Sequence, residues 1–117
     1  MNTPPCPKSP LYYLLDLVGE ECNEVAEAAL KIGKVLSKAS RFGLLDQRPG
    51  SGVTNLEALQ GEVSDLIGSL RLLNAQLLKA GLAPIVLDDE SAIEKKMEKV
   101  RRFAHRSMTN ERLTELF

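Results

Sequence analysis

The sequence predicts an all-α protein, and three observations predict it. Apolar residues recur in alternating steps of four and three along two long segments, no stretch of any length carries the period-two pattern of a strand, and turn-forming residues gather between the periodic segments. A helical bundle follows.

The first helix is expected to open at Ser9-Pro10, where serine caps the free amides and proline takes the first helical position, whose amide needs no partner. Its apolar positions are Leu11, Leu15, Val18, Cys22, Val25, Ala29, Ile32, Leu36 and Ala39, and it is expected to run to about Phe42-Gly43. Residues Leu44 to Val53 hold Asp46, Pro49, Gly50, Ser51 and Gly52, which is turn chemistry. For the two helices to bring their acids to one level, this connection is expected to double back toward the acids as a mobile flap, unless the first helix is broken near Gly33. Thr54-Asn55-Leu56-Glu57 has the form of a capping box and starts the second helix, with Leu56, Leu59, Val63, Leu66, Leu70, Leu73 and Leu77 on its stripe, ending near Ala80-Gly81. Pro84 interrupts the chain. Asp88, Asp89 and Glu90 then place negative charge where the dipole of a third helix favours it, and that helix carries Ile93, Met97, Val100 and Ala104. A short last helix is expected after Thr109, with Leu113 and Leu116 as its contacts. The organisation is therefore a Pro-rich leader (1–10), one helical domain (11–105) and a C-terminal helix (106–117).

Two pairs of carboxylates stand at matching places in the first two helices. Glu21 and Glu62 directly precede a-type core residues, and Glu24 and Asp65 precede the next d-type residues, so each pair occupies the g and c positions of its heptad. Residues three apart are neighbours on a helix surface. If the helices pack antiparallel, the four carboxylates converge and form a site for a hard cation. The ordinary alternative is a solvated acidic edge. Against it, the g column of the first helix reads Leu14, Glu21, Ala28, Val35, Phe42, in which Glu21 is the only charge; a lone carboxylate on an apolar edge loses water and asks for compensation. The f column, Tyr13, Glu20, Glu27, Lys34, Arg41, is a wet face.

The run Glu20-Glu21-Cys22-Asn23-Glu24 followed by Glu62-Val63-Ser64-Asp65 resembles the E-E-x-x-E … E-x-x-D signature of the MazG-like all-α nucleotide pyrophosphohydrolases. The likeness spans roughly Leu11 to Arg102 and centres on the two acidic motifs. It implies that Glu21, Glu24, Glu62 and Asp65 bind magnesium, with manganese as an alternative, and that a nucleoside triphosphate is split between its α and β phosphates. Magnesium keeps several waters in an octahedral oxygen shell, which leaves room for phosphate oxygens and an attacking water, and Glu24 is the candidate to take that water's proton. Tyr12, Asn23 and Phe42 are candidates to stack on or hydrogen-bond the base.

The third helix adds a basic pair. With Met97 and Val100 as core residues, Lys96 and Lys99 occupy the g and c positions held by acids on the other helices, where they suit a triphosphate or a departing pyrophosphate. The alternative is a solvated basic face in which Lys95, Lys96, Lys99, Arg101 and Arg102 balance Glu94 and Glu98. His105 is a lone surface histidine, and neither a glycine-rich phosphate loop nor a nucleophile triad is present.

Length and composition bound the rest. A chain of 117 residues suits one domain with a modest core. A formal charge of −1 supplies no general attraction to nucleic acid or to acidic membranes, and no segment resembles a signal peptide or a membrane span, so a cytoplasmic protein is expected. Cys6 in the leader and Cys22 on the core stripe do not make a disulfide framework; Cys22 reads as packing. The e column of the first helix, Gly19, Ala26, Gly33, Ser40, is a line of small residues beside a helix that is also apolar at a, d and g. That face is wider than one partner covers, so a homodimer or higher homo-oligomer is expected, with docking of the third helix on the same column as the alternative. Two further readings stay open: a non-catalytic helical interaction module, and phosphoribosyl-ATP pyrophosphatase, which shares the chemistry.

Overall fold

The computed structural model describes residues 7–36, 43–47 and 50–117, with 31–36 described by their backbone alone. Three helices account for it: α1 (Pro10–Leu36), α2 (Asn55–Lys79) and α3 (Glu90–Thr109). No strand occurs among the described residues; the one extended pairing is an isolated antiparallel bridge between Gln47 and Thr54. The chain divides into two units, Met1–Ile85 and Val86–Phe117.

In the first unit α1 packs on α2. The start of α1 follows from its leader: the Tyr13 amide donates to the Ser9 carbonyl (3.0 Å) and the Tyr12 amide to the Ser9 hydroxyl (3.4 Å). At α2 the Glu57 amide donates to Thr54 Oγ1 and that hydroxyl donates to Glu57 Oε1, both at 3.0 Å. The pair closes on itself, so Glu57 serves the cap hydroxyl instead of the cap amide that a capping box would use. At the far end Gly81 adopts φ 77°, which lets the Leu82 amide reach the Leu77 carbonyl (2.9 Å) and the Gly81 amide reach Leu78 (3.0 Å). This is a Schellman closure, and its left-handed residue is where glycine carries no steric penalty. Beyond it, Asn74 grips both main-chain groups of Ile85: its amide nitrogen donates to the Ile85 carbonyl (2.9 Å) and its oxygen accepts from the Ile85 amide (2.8 Å). The turn after α2 is thereby tied back to the helix.

The connection before α2 is also tied. The Asn55 amide donates to the Asp46 carbonyl, the Leu56 amide to the Leu44 carbonyl, and Asn55 Nδ2 to the Gly43 carbonyl, while Asp46 Oδ2 accepts from the Gly43 amide. Residues 43–47 therefore lie against the first turn of α2. The expected continuation of α1 through Phe42, and Phe42 itself, fall outside the described residues.

The contact face of α1 differs from the a/d stripe read from the sequence. Leu11, Leu14, Leu17, Val18, Glu21, Val25 and Ala28 are half-buried, whereas Leu15, Cys22 and Ala29, the a column, are exposed. Within the first unit α2 is the described helix that α1 packs on, and the broad apolar surface of α1 let that seam settle between d and g. Cys22 is accordingly an exposed free cysteine and not a packing residue. On α2 the a, d and g columns all contribute, and Leu73 and Ser69 are buried; the Ser69 hydroxyl is satisfied by the Leu66 carbonyl at 2.9 Å.

The second unit is α3 with its flanks. Asp89 caps it, accepting from the Ala92 amide (3.1 Å), and its acid-rich start matches the expectation. The expected helix after Thr109 is absent. The Thr109 hydroxyl donates back to the His105 carbonyl (3.1 Å) and so does not cap a new helix, and Glu111 takes a left-handed φ of 57°, which turns the chain away from helical continuation. Residues 110–117 form turns and bends, with Leu113 half-buried. No helix among the described residues is long and apolar enough to cross a membrane.

Candidate metal centre

The shift of the α1 seam toward the g column has a chemical consequence, because Glu21 lies in that column. Glu21 reaches the seam between Val18 and Val25, and Glu62 and Asp65 reach it from α2 one helical turn apart. One carboxylate oxygen of each residue lies within 4.8 Å of the other two. Glu21 and Glu62 are half-buried and Asp65 is exposed, so the cluster has a packed side and a wet side. The carboxyl of Glu21 is held above its ordinary range, first by loss of solvent and then by the charges of Asp65, Glu62, Glu24 and Glu20. Three like charges at this separation repel one another, and none has an ion-pair partner among the described residues, where the one such pair is Lys8 with Asp16.

Three of the four acids singled out in the sequence are thus brought together. Glu24 is one turn from Glu21 on α1 and exposed; it adds to the field on Glu21 without joining the close group. An all-carboxylate donor set suits magnesium, manganese or calcium, since hard oxygen ligands select hard cations, and it disfavours metals that seek sulfur or imidazole.

The other sequence candidates lie elsewhere. Tyr12 is 64% exposed on the first turns of α1. Nine residues separate it from Glu21, a rise of roughly 14 Å. It borders a surface hollow with Pro7, Lys8, Ser9 and Asp16, away from the carboxylates. Asn23 is exposed two residues after Glu21, a step of about 200° around the helix, which turns it from the seam. Lys96 and Lys99 are exposed on α3 in the second unit, where Lys96 edges an apolar hollow made by Val86, Leu87, Ala92, Ile93 and Met97.

No protein-family model, no curated protein and no solved structure matches this chain.

Proposed function

We propose that the chain is a magnesium-dependent nucleoside triphosphate pyrophosphohydrolase that releases a nucleoside monophosphate and pyrophosphate. The observation that carries this reading is the meeting of Glu21, Glu62 and Asp65 from two helices, with oxygens within 4.8 Å and no neutralising base beside them among the described residues. Glu21, Glu62 and Asp65 hold the cation, and Glu24 completes the set from the adjacent turn of α1. Bound there, magnesium supplies charge neutralisation for the phosphates and a more acidic water. Glu24, exposed and one turn away, accepts the proton of the attacking water. Part of the support is the likeness of the two acidic motifs to the MazG-like pyrophosphohydrolases, in which the same residue types bind the metal.

The functional assembly is a homodimer or higher homo-oligomer. Its support is the apolar surface that one chain leaves uncovered: Leu15, Leu30, Leu72 and Leu78 are each at least 45% exposed, and a Cβ placed on Gly19 of the small-residue column would meet nothing within 4 Å.

The same exposed apolar surface favours a second reading, a non-catalytic helical interaction module. One experiment separates them. The chain is incubated with magnesium and a panel of nucleoside triphosphates plus phosphoribosyl-ATP, and pyrophosphate is measured. Release from one or more nucleoside triphosphates, lost in Glu21→Ala and Asp65→Ala, supports the enzyme. Release from phosphoribosyl-ATP alone reassigns the substrate, and release from none, with a folded protein, favours the interaction module. Metal ligation contributes several kcal/mol to such a transition state, so each variant is expected to lose on the order of 100-fold or more in rate.

A further inference from the structure

Two charged ridges of opposite sign and equal length stand on the outside of this molecule. On α3, Lys95, Lys99, Arg102 and Arg106 recur at steps of four, three and four, which at 3.6 residues per turn confines them to an arc of about 60°. All four are exposed. The apolar stripe of α3, built on Ile93, Met97, Val100 and Ala104, is centred about 160° away from them. Whatever packs on that stripe therefore leaves the cationic ridge facing outward.

On α1, Asp16, Glu20, Glu24 and Glu27 fall within an arc of about 80°, turned about 130° from the face that meets α2, and all four are exposed. Lys8 pairs with Asp16; the other three have no ion-pair partner among the described residues. From Pro10 to Leu30 the helix carries five acids and no base, and from Lys95 to Arg106 α3 carries six bases against Glu98 alone. Each ridge spans twelve residues, a rise of roughly 16 Å.

From this complementarity we propose that the cationic ridge of α3 docks on the acidic ridge of α1 in a second copy of the chain. A lipid surface fits the ridge poorly. A helix lying in a membrane interface buries its apolar face with cations along the borders, whereas these cations lie on the far side of the helix from that face. A chain whose net charge is −1 offers a nucleic-acid backbone no general attraction. A second copy presents the matching charge at the matching length. In a two-fold dimer the contact is isologous and occurs twice, so ion pairs that are weak singly act together. The contact rests neither on the pyrophosphohydrolase reading nor on the small-residue column of α1; it shares Glu24 with that reading, and the variants below leave Glu24 in place.

The test is a charge exchange on the full chain, read by light scattering at low salt, with circular dichroism as the check on folding. Glu20→Lys with Glu27→Lys makes one variant, and Lys95→Glu with Arg102→Glu makes the other. The unmodified chain is expected to show a dimer of twice 12.9 kDa whose dissociation constant weakens by roughly tenfold or more from 50 to 500 mM salt. Each variant alone is expected to dissociate, and an equal mixture of the two is expected to recover association as a heterodimer. A monomer at every concentration and salt overturns the proposal. So does association of the unmodified chain that both variants retain, or failure of the mixture to recover. If association returns only when all four substitutions are placed in one chain, the ridges pair within a chain and the second copy is excluded.

Discussion

Asp65 of α2 faces Glu21 of α1 across the helix seam, with carboxylate oxygens within 4.8 Å of each other and of Glu62. Among the described residues, no base holds either of them there. The approach is imposed by the apolar neighbours on either side, Val18 and Val25 on α1 and Val63 and Leu66 on α2, all half-buried. Helix packing thus holds like charges together, and the cluster is a place where stability and cation affinity are linked.

The sign of that linkage sets a first expectation. The pKa of Glu21 is raised in the folded chain, by lost solvent first and by Asp65 and its neighbours next. A raised carboxyl favours folding while protonated, so its contribution is present below the unfolded pKa and lost as pH rises through the folded one. Glu21→Gln mimics the protonated form. It is expected to raise the melting temperature at pH 7 and to leave it unchanged well below pH 4, measured by circular dichroism across that range. A variant less stable than the parent at pH 7 would contradict the account.

A divalent cation is expected to act on the same term. A ligand that binds only the folded chain stabilises it in proportion to the logarithm of its concentration, by about 2.7 kcal/mol at 100 times its dissociation constant. Magnesium is therefore expected to raise the melting temperature at pH 7, and chelation to reverse the gain. In Asp65→Ala the response should be lost even though the apo protein is no less stable. An equal response from parent and variant would place the cation elsewhere.

Gly81 closes α2 in the left-handed region with open space around its α-carbon. Gly81→Ala meets no clash with a neighbour, so only the backbone term is left, and the variant is expected to lose about 1–2 kcal/mol. Urea denaturation measures it. The same change at Gly19, which sits in helical backbone on the exposed face of α1, is expected to have the opposite sign, since alanine is the better helix former by about 1 kcal/mol.

The clasp of Asn74 on Ile85 is expected to behave as a local lock. Both hydrogen bonds, at 2.9 and 2.8 Å, join a side chain to the backbone of a segment that holds no helix of its own. Asn74→Ala is expected to cost about 1–3 kcal/mol in the segment's local opening, seen as faster exchange of the Ile85 amide with little change in the helical signal. Unchanged exchange at Ile85 would show that the clasp contributes nothing.

What the sequence determined by itself was the set of helices and the identity of the acids. Local rules decide these: the four-three apolar spacing of α2, the caps at Ser9, Thr54 and the acid-rich start of α3, and the glycine at Gly81 each act within a few residues of where they are written. The pairing of Glu21 with Glu62 and Asp65 was legible as well, because heptad position is a statement about a helix surface. Tertiary structure decided which face of α1 is used. Its a, d and g columns are all apolar, so their periodicity is consistent with more than one seam, and packing on α2 selected d with g; that exposed Cys22 and drew Glu21 inward while Glu24 stayed outside the close group. The end of α3 was decided in the same way. Leu113 and Leu116 have helical spacing, but two residues of pattern do not offset the nucleation cost of a new helix, and the backbone turned at Glu111 instead.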